Sequence, residues 1–380
     1  MSGWKRLLEE ESEHQWLSFV LFAIFIIIGG LMVDWSNELS GVRDGASVSA
    51  NGMVIDVAGD AVLNMQDDGL YVDLGDSSIQ KENATCLAKH VHITFACFGE
   101  EGLIHFHEDE WEHDGAWAAM YLGQDYTTTD LSVNGDAILL IIQNGMTHSF
   151  AGFWINGLED ASNQSQMSDD IIINSVIPTE NGWLAGGSWM APSSWIGGNP
   201  ASPPMYELVV EITWDGINSP DTKIIHLGDE GEIHTMLGSD GVYFAAGSSD
   251  TVRIDHSGIS SIGLASTAAA MDTNSDVWLF GEIGSSTVAI ISDGNAEIEK
   301  LPYAMSIQPT YASIDDSGVI SIHGIDAQDS PSAISIDPEE RLSFTSMRGL
   351  IDLGFIFTSL LILGMMGWNI ADALRKGEVF

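Results

Sequence analysis

The chain has 380 residues, and its 55 Asp and Glu face only 12 Lys and Arg, a formal net charge of −43. That balance excludes a nucleic-acid binder, because phosphate contacts need a basic patch. With 45% hydrophobic residues and a mean hydropathy of +0.11, the chain also has too much apolar material to be a disordered acidic tail.

Residues 1–15 read as a short tail carrying Lys5 and Arg6. From Trp16 to Trp35 the sequence is WLSFVLFAIFIIIGGLMVDW, and Leu17 to Val33 holds no charge. The two tryptophans stand 19 residues apart, about 28 Å along a helix, which matches a bilayer's hydrocarbon thickness. Trp at both ends suits the two interfaces. The competing reading is a signal peptide, but its apolar region would be shorter and no small-residue cleavage site follows promptly. Residues 16–35 are therefore expected to be an uncleaved transmembrane helix, with 36–45 as a linker.

Residues 46–345 form the next block. Helix-period patterns are scarce there, and short alternating runs are separated by Asp-Gly, Asn-Gly and Ser-Gly turns, the signal of an all-β body. One unit recurs: a turn, an aromatic or β-branched run, then Gly. It is found at Asp68–Gly75, Asp114–Gly123, loosely at Asn144–Gly152, and at Asn181–Gly186, Asp240–Gly247, Ser275–Gly281 and Ser317–Gly324. The closing glycines are 48, 29, 34, 61, 34 and 43 residues apart, and the 61-residue gap reads as an insertion.

The best-formed copy, GVYFAAG followed by TVRIDHSGISSIGL between Asp240 and Leu264, resembles a blade of a β-propeller. The resemblance is to a generic blade, since no WD dipeptide closes the units and no regular kelch double glycine is present. It implies a ring of six to eight blades, with seven preferred. A pair of β-sandwiches is the alternative. A propeller brings its first and last blades together, so helices flanking it would emerge side by side. They would then pair through Gly29, Gly30, Gly354 and Gly364.

Within the body, Cys86 and Cys97 are the only cysteines and lie close together, as a local disulfide would. Asn83-Ala-Thr85 and Asn163-Gln-Ser165 match the glycosylation acceptor. Five of the eleven histidines fall between His90 and His113. Residues 90–98 and 103–109 alternate, with Gly99–Gly102 as a hairpin turn between them. Opposing Phe98 to Leu103 would set Phe95 against Phe106 and Cys97 against Ile104. That register puts His90, His92, His105 and His107 on one face. With Asp109, Glu112 and His113 nearby, this face is a candidate site for Zn²⁺ or Cu²⁺; the plainer reading is a polar sheet face amid carboxylates.

Further along, the segment Ser188–Met205 is rich in Gly, Ser and Pro, too broken for a strand. Its Trp189 and Trp195 are either a contact for a protein or glycan partner or caps folded onto a blade. Oxygen ligands spaced as in Asp272-x-Asn274-x-Asp276 suggest Ca²⁺, yet the EF-hand Gly and terminal Glu are missing, so ordinary turns account for them better. His90 through Pro220 contains no Lys or Arg. That stretch points to a saline, cation-rich exterior or to divalent-cation binding.

Residues 349–370 give a second expected span, interrupted only by Asp352 near its start, where a carboxylate still reaches interfacial water. Arg375 and Lys376 follow in the tail 371–380. Basic residues outside both spans place both termini in the cytoplasm, and the large domain outside the cell. No G-x-S-x-G, Walker A, H-E-x-x-H or G-x-G-x-x-G motif occurs, which weakens an enzymatic reading, although propeller enzymes often assemble sites from several blades. The expectation is a two-pass, acidic surface propeller that binds or scaffolds a partner. The alternatives are a metal-binding enzyme or carrier centred on the histidine hairpin, and a subunit of a larger membrane complex.

Overall fold

The computed structural model describes residues 15–36, 38–45, 52–59, 61–66, 69–74, 80–90, 93–98, 102–107, 110–113, 127–144, 147–154, 165–168, 170–191, 203–340, 354–368 and 375. They form two compact units: residues 1–41 with 339–380, and Val42–Pro338.

The second unit is all β. Its strands form seven four-stranded antiparallel sheets, each a blade. The first strand, β1, is Val42–Asp44. Blade 1 comprises β2 to β5, Met53–Ala58, Ala61–Gln66, Gly69–Asp73 and Gln80–Glu82; blade 2 comprises β6 to β9, Cys86–His90, Ile93–Phe98, Gly102–His107 and Glu110–His113. Blade 3 is β10 to β13, Thr127–Asn134, Ala137–Asn144, Thr147–Trp154 and Ser165–Gln166. Blade 4 is β14 to β17, Ile171–Thr179, Gly182–Met190, Met205–Thr213 and Asp221–Glu230. Blade 5 is β18 to β21, Ile233–Ser239, Val242–Gly247, Thr251–Asp255 and Gly258–Ser261; blade 6 is β22 to β25, Ala268–Met271, Val277–Phe280, Thr287–Ser292 and Asn295–Lys300. Blade 7 takes β26 to β28, Ile307–Ile314, Ile320–Asp326 and Pro331–Ile336, and is completed by β1.

The first strand of each blade contacts the first strand of the next, and β26 contacts β2, so the circuit closes. This closed circuit of inner strands makes the fold a β-propeller. Its seam is the pairing of β1 with β28, Val42 opposite Ile336 and Asp44 opposite Ile334. The chain thus enters and leaves the ring at adjacent positions.

Each blade packs its two faces against two different neighbours. Leu139 and Ile141 of blade 3 join Trp183 and Val210 of blade 4. On the other face, Ile138, Leu140 and Ile142 join Phe95 and Cys97 of blade 2. A strand buried on both sides reads as a continuous apolar run, not an alternating one. Hence Ala137–Asn144 is AILLIIQN, with all five residues from Ile138 to Ile142 at 0% exposure. Burying each such side chain stabilises the fold by about 1.5–3 kcal/mol. The tight hairpins follow from local chemistry: Asp240-Gly241 and Asp293-Gly294 both hold positive φ at the two central turn positions, the geometry that two-residue hairpin turns require.

The inner strand slips register by one residue at the same place in five blades: at Val54/Asp56, Thr128/Asp130, Ile173/Ser175, Ile233/Thr235 and Pro309/Tyr311. In four of these blades the residue after the bulge reaches toward the next blade. Asp56 Oδ2 accepts from Leu87 N at 2.9 Å, Ser175 Oγ from Met236 N at 3.0 Å, and Tyr311 Oη from Val57 N at 3.0 Å. Bulged or neighbouring side chains add a second set of ties to carbonyls: Thr85 to Thr128, Asn174 to Ile233, and His234 to Ser266. Opposite two bulges sit Gly187 and Gly324, where a Cβ would collide with the carbonyl oxygens of Ile172 and Gln308.

The repeat was legible, but its early phase was not. The copies at 181–186, 240–247, 275–281 and 317–324 fall on the second strand of blades 4 to 7, whereas those at 68–75 and 144–152 fall on third strands. The copy at 114–123 lies outside the described residues. Blade 2 is instead the histidine hairpin with a strand added on each side. The 61-residue gap reflects the nine- and ten-residue strands of blade 4 and its β15–β16 connection.

In the first unit, α1 spans Gln15–Ser36, and residues 354–368 form a second helix, α2. The described side chains of α1 run from Val20 to Leu31, and those of α2 cover about 22 Å of helix. Among the described residues no helix is long and apolar enough to cross a membrane, so the two expected spans are not established by the helices themselves. The helices do meet: the Phe25 and Phe355 rings lie 5.6 Å apart. Gly29 faces Phe355 with no room for a Cβ, while Gly30, Gly354 and Gly364 approach nothing. Of the four glycines expected at a helix pair, one is in close contact.

Candidate functional site

The histidine hairpin forms, in a different register. Thr94 pairs with Phe106, Phe95 with His105, Ala96 with Ile104 and Cys97 with Leu103, one residue away from the expected alignment. Outward of β8, His105 pairs with Glu112, His107 with Glu110 and Ile104 with His113; inward, His90 pairs with Ile93. His105 therefore stands at the register position of buried Phe95, and His113 at that of Ile104. His92 and Asp109 lie outside the described residues. Apolar matching chose the wrong register because blade 2 is buried on both sides of β7, so an apolar residue does not mark one face. Among the described residues no three His, Cys, Asp or Glu converge as a metal site.

Cys86 and Cys97 are bonded as a disulfide between paired positions of β6 and β7, and both are buried. Asn83 is exposed at positive φ, while the Thr85 hydroxyl of the same triplet donates to the Thr128 carbonyl at 2.6 Å. Asn163 and Trp195 lie outside the described residues. Ser188 to Met190 belong to β15, a correction to the loop expected over 188–205. Trp189 packs against the core between blades 3 and 4. Its indole donates to Asp170 Oδ2 at 2.6 Å and its ring lies 6.1 Å from Tyr206, so it is a cap folded onto its blade. At Asp272, one carboxylate oxygen takes the N–H groups of Asn274 and Asp276 and the other takes Trp278 Nε1. A carboxylate committed to donors in this way anchors a turn and a buried indole.

Two buried polar constellations were not foreseen. The first lies on the inner strands, where Asp56, Asp130 and Tyr311 come together. Burial pushes the Asp56 carboxyl up, against hydrogen bonds from Leu87, Val57 and Tyr311 that pull it down. Burial pushes Asp130 up strongly, and the charge of Asp56 adds to the shift. Tyr311 is raised by burial and by the same two carboxylates. His323, stacked on Tyr311, is lowered to about 4 by burial, and its Nδ1 has no partner. Every oxygen of Asp56 has a donor, so this group clamps blades together.

The second constellation lies between blades 4 and 5. Glu207, at 0% exposure, sits where β16 slips register against β17, between Tyr206 and Leu208. The slip sets Gly228 and Asp229 across from it. Oε1 accepts Ser249 N at 2.7 Å and Asp250 N at 3.0 Å, tying the carboxylate to the β19–β20 turn of blade 5. Oε2 has no partner, and neither has Nε2 of His226 on β17. Each is 3.0 Å from the point a Cβ on Gly228 would occupy, so the two lie no farther apart than twice that distance. Ser188, the cross-strand neighbour of Glu207 on β15, is fully buried, and its Oγ is also without a partner. Burial raises the Glu207 carboxyl, with Asp250 and Asp229 adding to the shift and the two backbone donors opposing it. Burial lowers His226, while the same two aspartates oppose. Neither a motif nor a spacing announces this site, since its three residues are 19 apart in sequence and meet only through strand pairing.

No family model matches the chain, and no curated protein matches it. Among solved structures, the WD40 β-propeller domain of Doa1 superposes with a TM-score of 0.46 at 10% identity, covering 80% of this chain and 99% of that one. A gluconolactonase from Xanthomonas campestris gives 0.40 at 14% identity, over 80% and 91%. The extracellular domain of a protein from B. thetaiotaomicron, described as a one component system, gives 0.46 at 9% identity. This chain covers 78% of its own length there and spans about two fifths (40%) of that domain.

Proposed function

We propose that the chain is a membrane-tethered binding or scaffold protein, a strongly acidic propeller held outside the cell by a helix at each end. The seam at β1 and β28 carries this reading: the first and last strands of the ring are paired neighbours, so the chain segments that lead to the two helices begin side by side. Both helices present large apolar side chains to the exterior. Leu21, Ile27 and Leu31 on α1 and Phe357, Leu360 and Trp368 on α2 are each more than half exposed, an arrangement that water disfavours and lipid accepts. A rigid ring with many carboxylates and few cations suits recognition of a neutral or cationic partner. The absence of familiar catalytic motifs is consistent with binding.

The test is fractionation of the native cells. The protein is expected to stay with membranes through alkaline carbonate washing, and its propeller to be cut by protease added to intact cells. Release by carbonate would overturn the tether, and protection from external protease would overturn the orientation. Co-purification in mild detergent then finds the partner.

A further inference from the structure

We propose that the interblade pocket over Gly228 is a transition-metal site, in which Glu207 Oε2 and His226 Nε2 bind one divalent cation such as Zn²⁺ and water completes the coordination. The proposal is independent of the membrane tether. It also concerns a different place from the histidine hairpin of blade 2.

Three observations converge. A carboxylate oxygen and an imidazole nitrogen, both shut off from solvent, have no hydrogen-bond partner yet point at one spot. Leaving such atoms bare forfeits their hydration without a replacement bond, and Ser188 Oγ on the same face adds a third. Next, the spot is kept open by sequence. Any side chain at 228 would strike Glu207 Cβ and Oε2 and His226 Nε2, and the register slip that places glycine there is the kind of irregularity that re-aims side chains at sites. Finally, the local field favours a cation. Asp229 and Asp250 act on both residues. An imidazole held neutral by burial supplies a lone pair, and an imidazole–carboxylate pair selects zinc-like ions over Ca²⁺ or Mg²⁺.

The test uses the full chain, stripped with chelator and titrated with Zn²⁺ alone by calorimetry at physiological salt, to swamp diffuse carboxylate binding. Wild type is expected to show one site saturating at one equivalent. Glu207→Gln keeps an acceptor for Ser249 and Asp250, and His226→Gln changes a half-buried edge-strand position; each should weaken that site at least tenfold. His105→Ala/His107→Ala should leave it intact. Gly228→Ala, which fills the spot while leaving both ligand residues in the sequence, should weaken it too and serves if the Glu207 variant does not fold. No Zn²⁺ site in the wild type, or unchanged affinity in His226→Gln and Gly228→Ala, would overturn the proposal. Loss only in the hairpin variant would move the metal to blade 2.

Discussion

Replacing His234 with Asn should remove a defined part of the protein's acid sensitivity. His234 is the bulged residue of blade 5, and its Nε2 meets the Ser266 carbonyl of blade 6 at 3.1 Å. Asn174 holds the corresponding place in blade 4 and makes the corresponding bond, Nδ2 to the Ile233 carbonyl, also at 3.1 Å. The substitution therefore borrows a side chain that the ring already uses. Burial lowers the imidazole to about 4 from 6.5, with only the Ser266 bond opposing. Above pH 6.5 the ring is neutral in folded and unfolded chains alike, and no proton is lost or gained on unfolding. Between 6.5 and 4 the unfolded chain takes up a proton that the folded one refuses, so stability falls as pH falls. At pH 5 the difference is about 2 kcal/mol, approaching roughly 3 kcal/mol below pH 4. His323 titrates in the same window, but it is present in both proteins and cancels in the comparison. Urea unfolding followed by tryptophan fluorescence, at pH 7.5 and pH 5, gives the two differences. The variant should lose about 2 kcal/mol less than the wild type on acidification; parallel losses would show that His234 is not held neutral.

Asp130 has the opposite sign, because its folded pKa is raised and its penalty grows as pH rises above the unfolded value. Asp130→Asn should stabilise the protein at pH 8, with the gain shrinking toward pH 4; a pH-independent effect would refute this. Gly324→Ala drives a methyl into the Gln308 carbonyl and should cost about 1–3 kcal/mol or more, whereas Gly258→Ala, with open space around it, pays only for its positive φ. Reducing the Cys86–Cys97 disulfide, which closes a loop of 11 residues, should lower stability by roughly 3 kcal/mol, read as a shift in denaturation midpoint. Deleting residues 1–44 should strip β1 from β28 and open the ring, detected as new protease cutting in blade 7; unchanged resistance would mean that three strands suffice there.

The sequence by itself determined the class. Short strands punctuated by Asp-Gly turns dictate an all-β body, because those dipeptides take up the positive φ that two-residue hairpins need. The closing glycine of the repeat was legible too, and at Gly324 it stands where the bulged inner strand leaves no room for a Cβ. Tertiary structure decided register and sites. In a ring, each blade is covered on both faces, so the polar–apolar alternation that fixes register in a one-sided sheet is erased, and the alignment of β7 with β8 came out one residue from the apolar match. The clamp of Asp56 on Leu87 and the convergence of Glu207 and His226 depend on which strand lies beside which. That proximity arises from strand pairing within a blade and from the packing of neighbouring blades, which no local pattern of residues encodes.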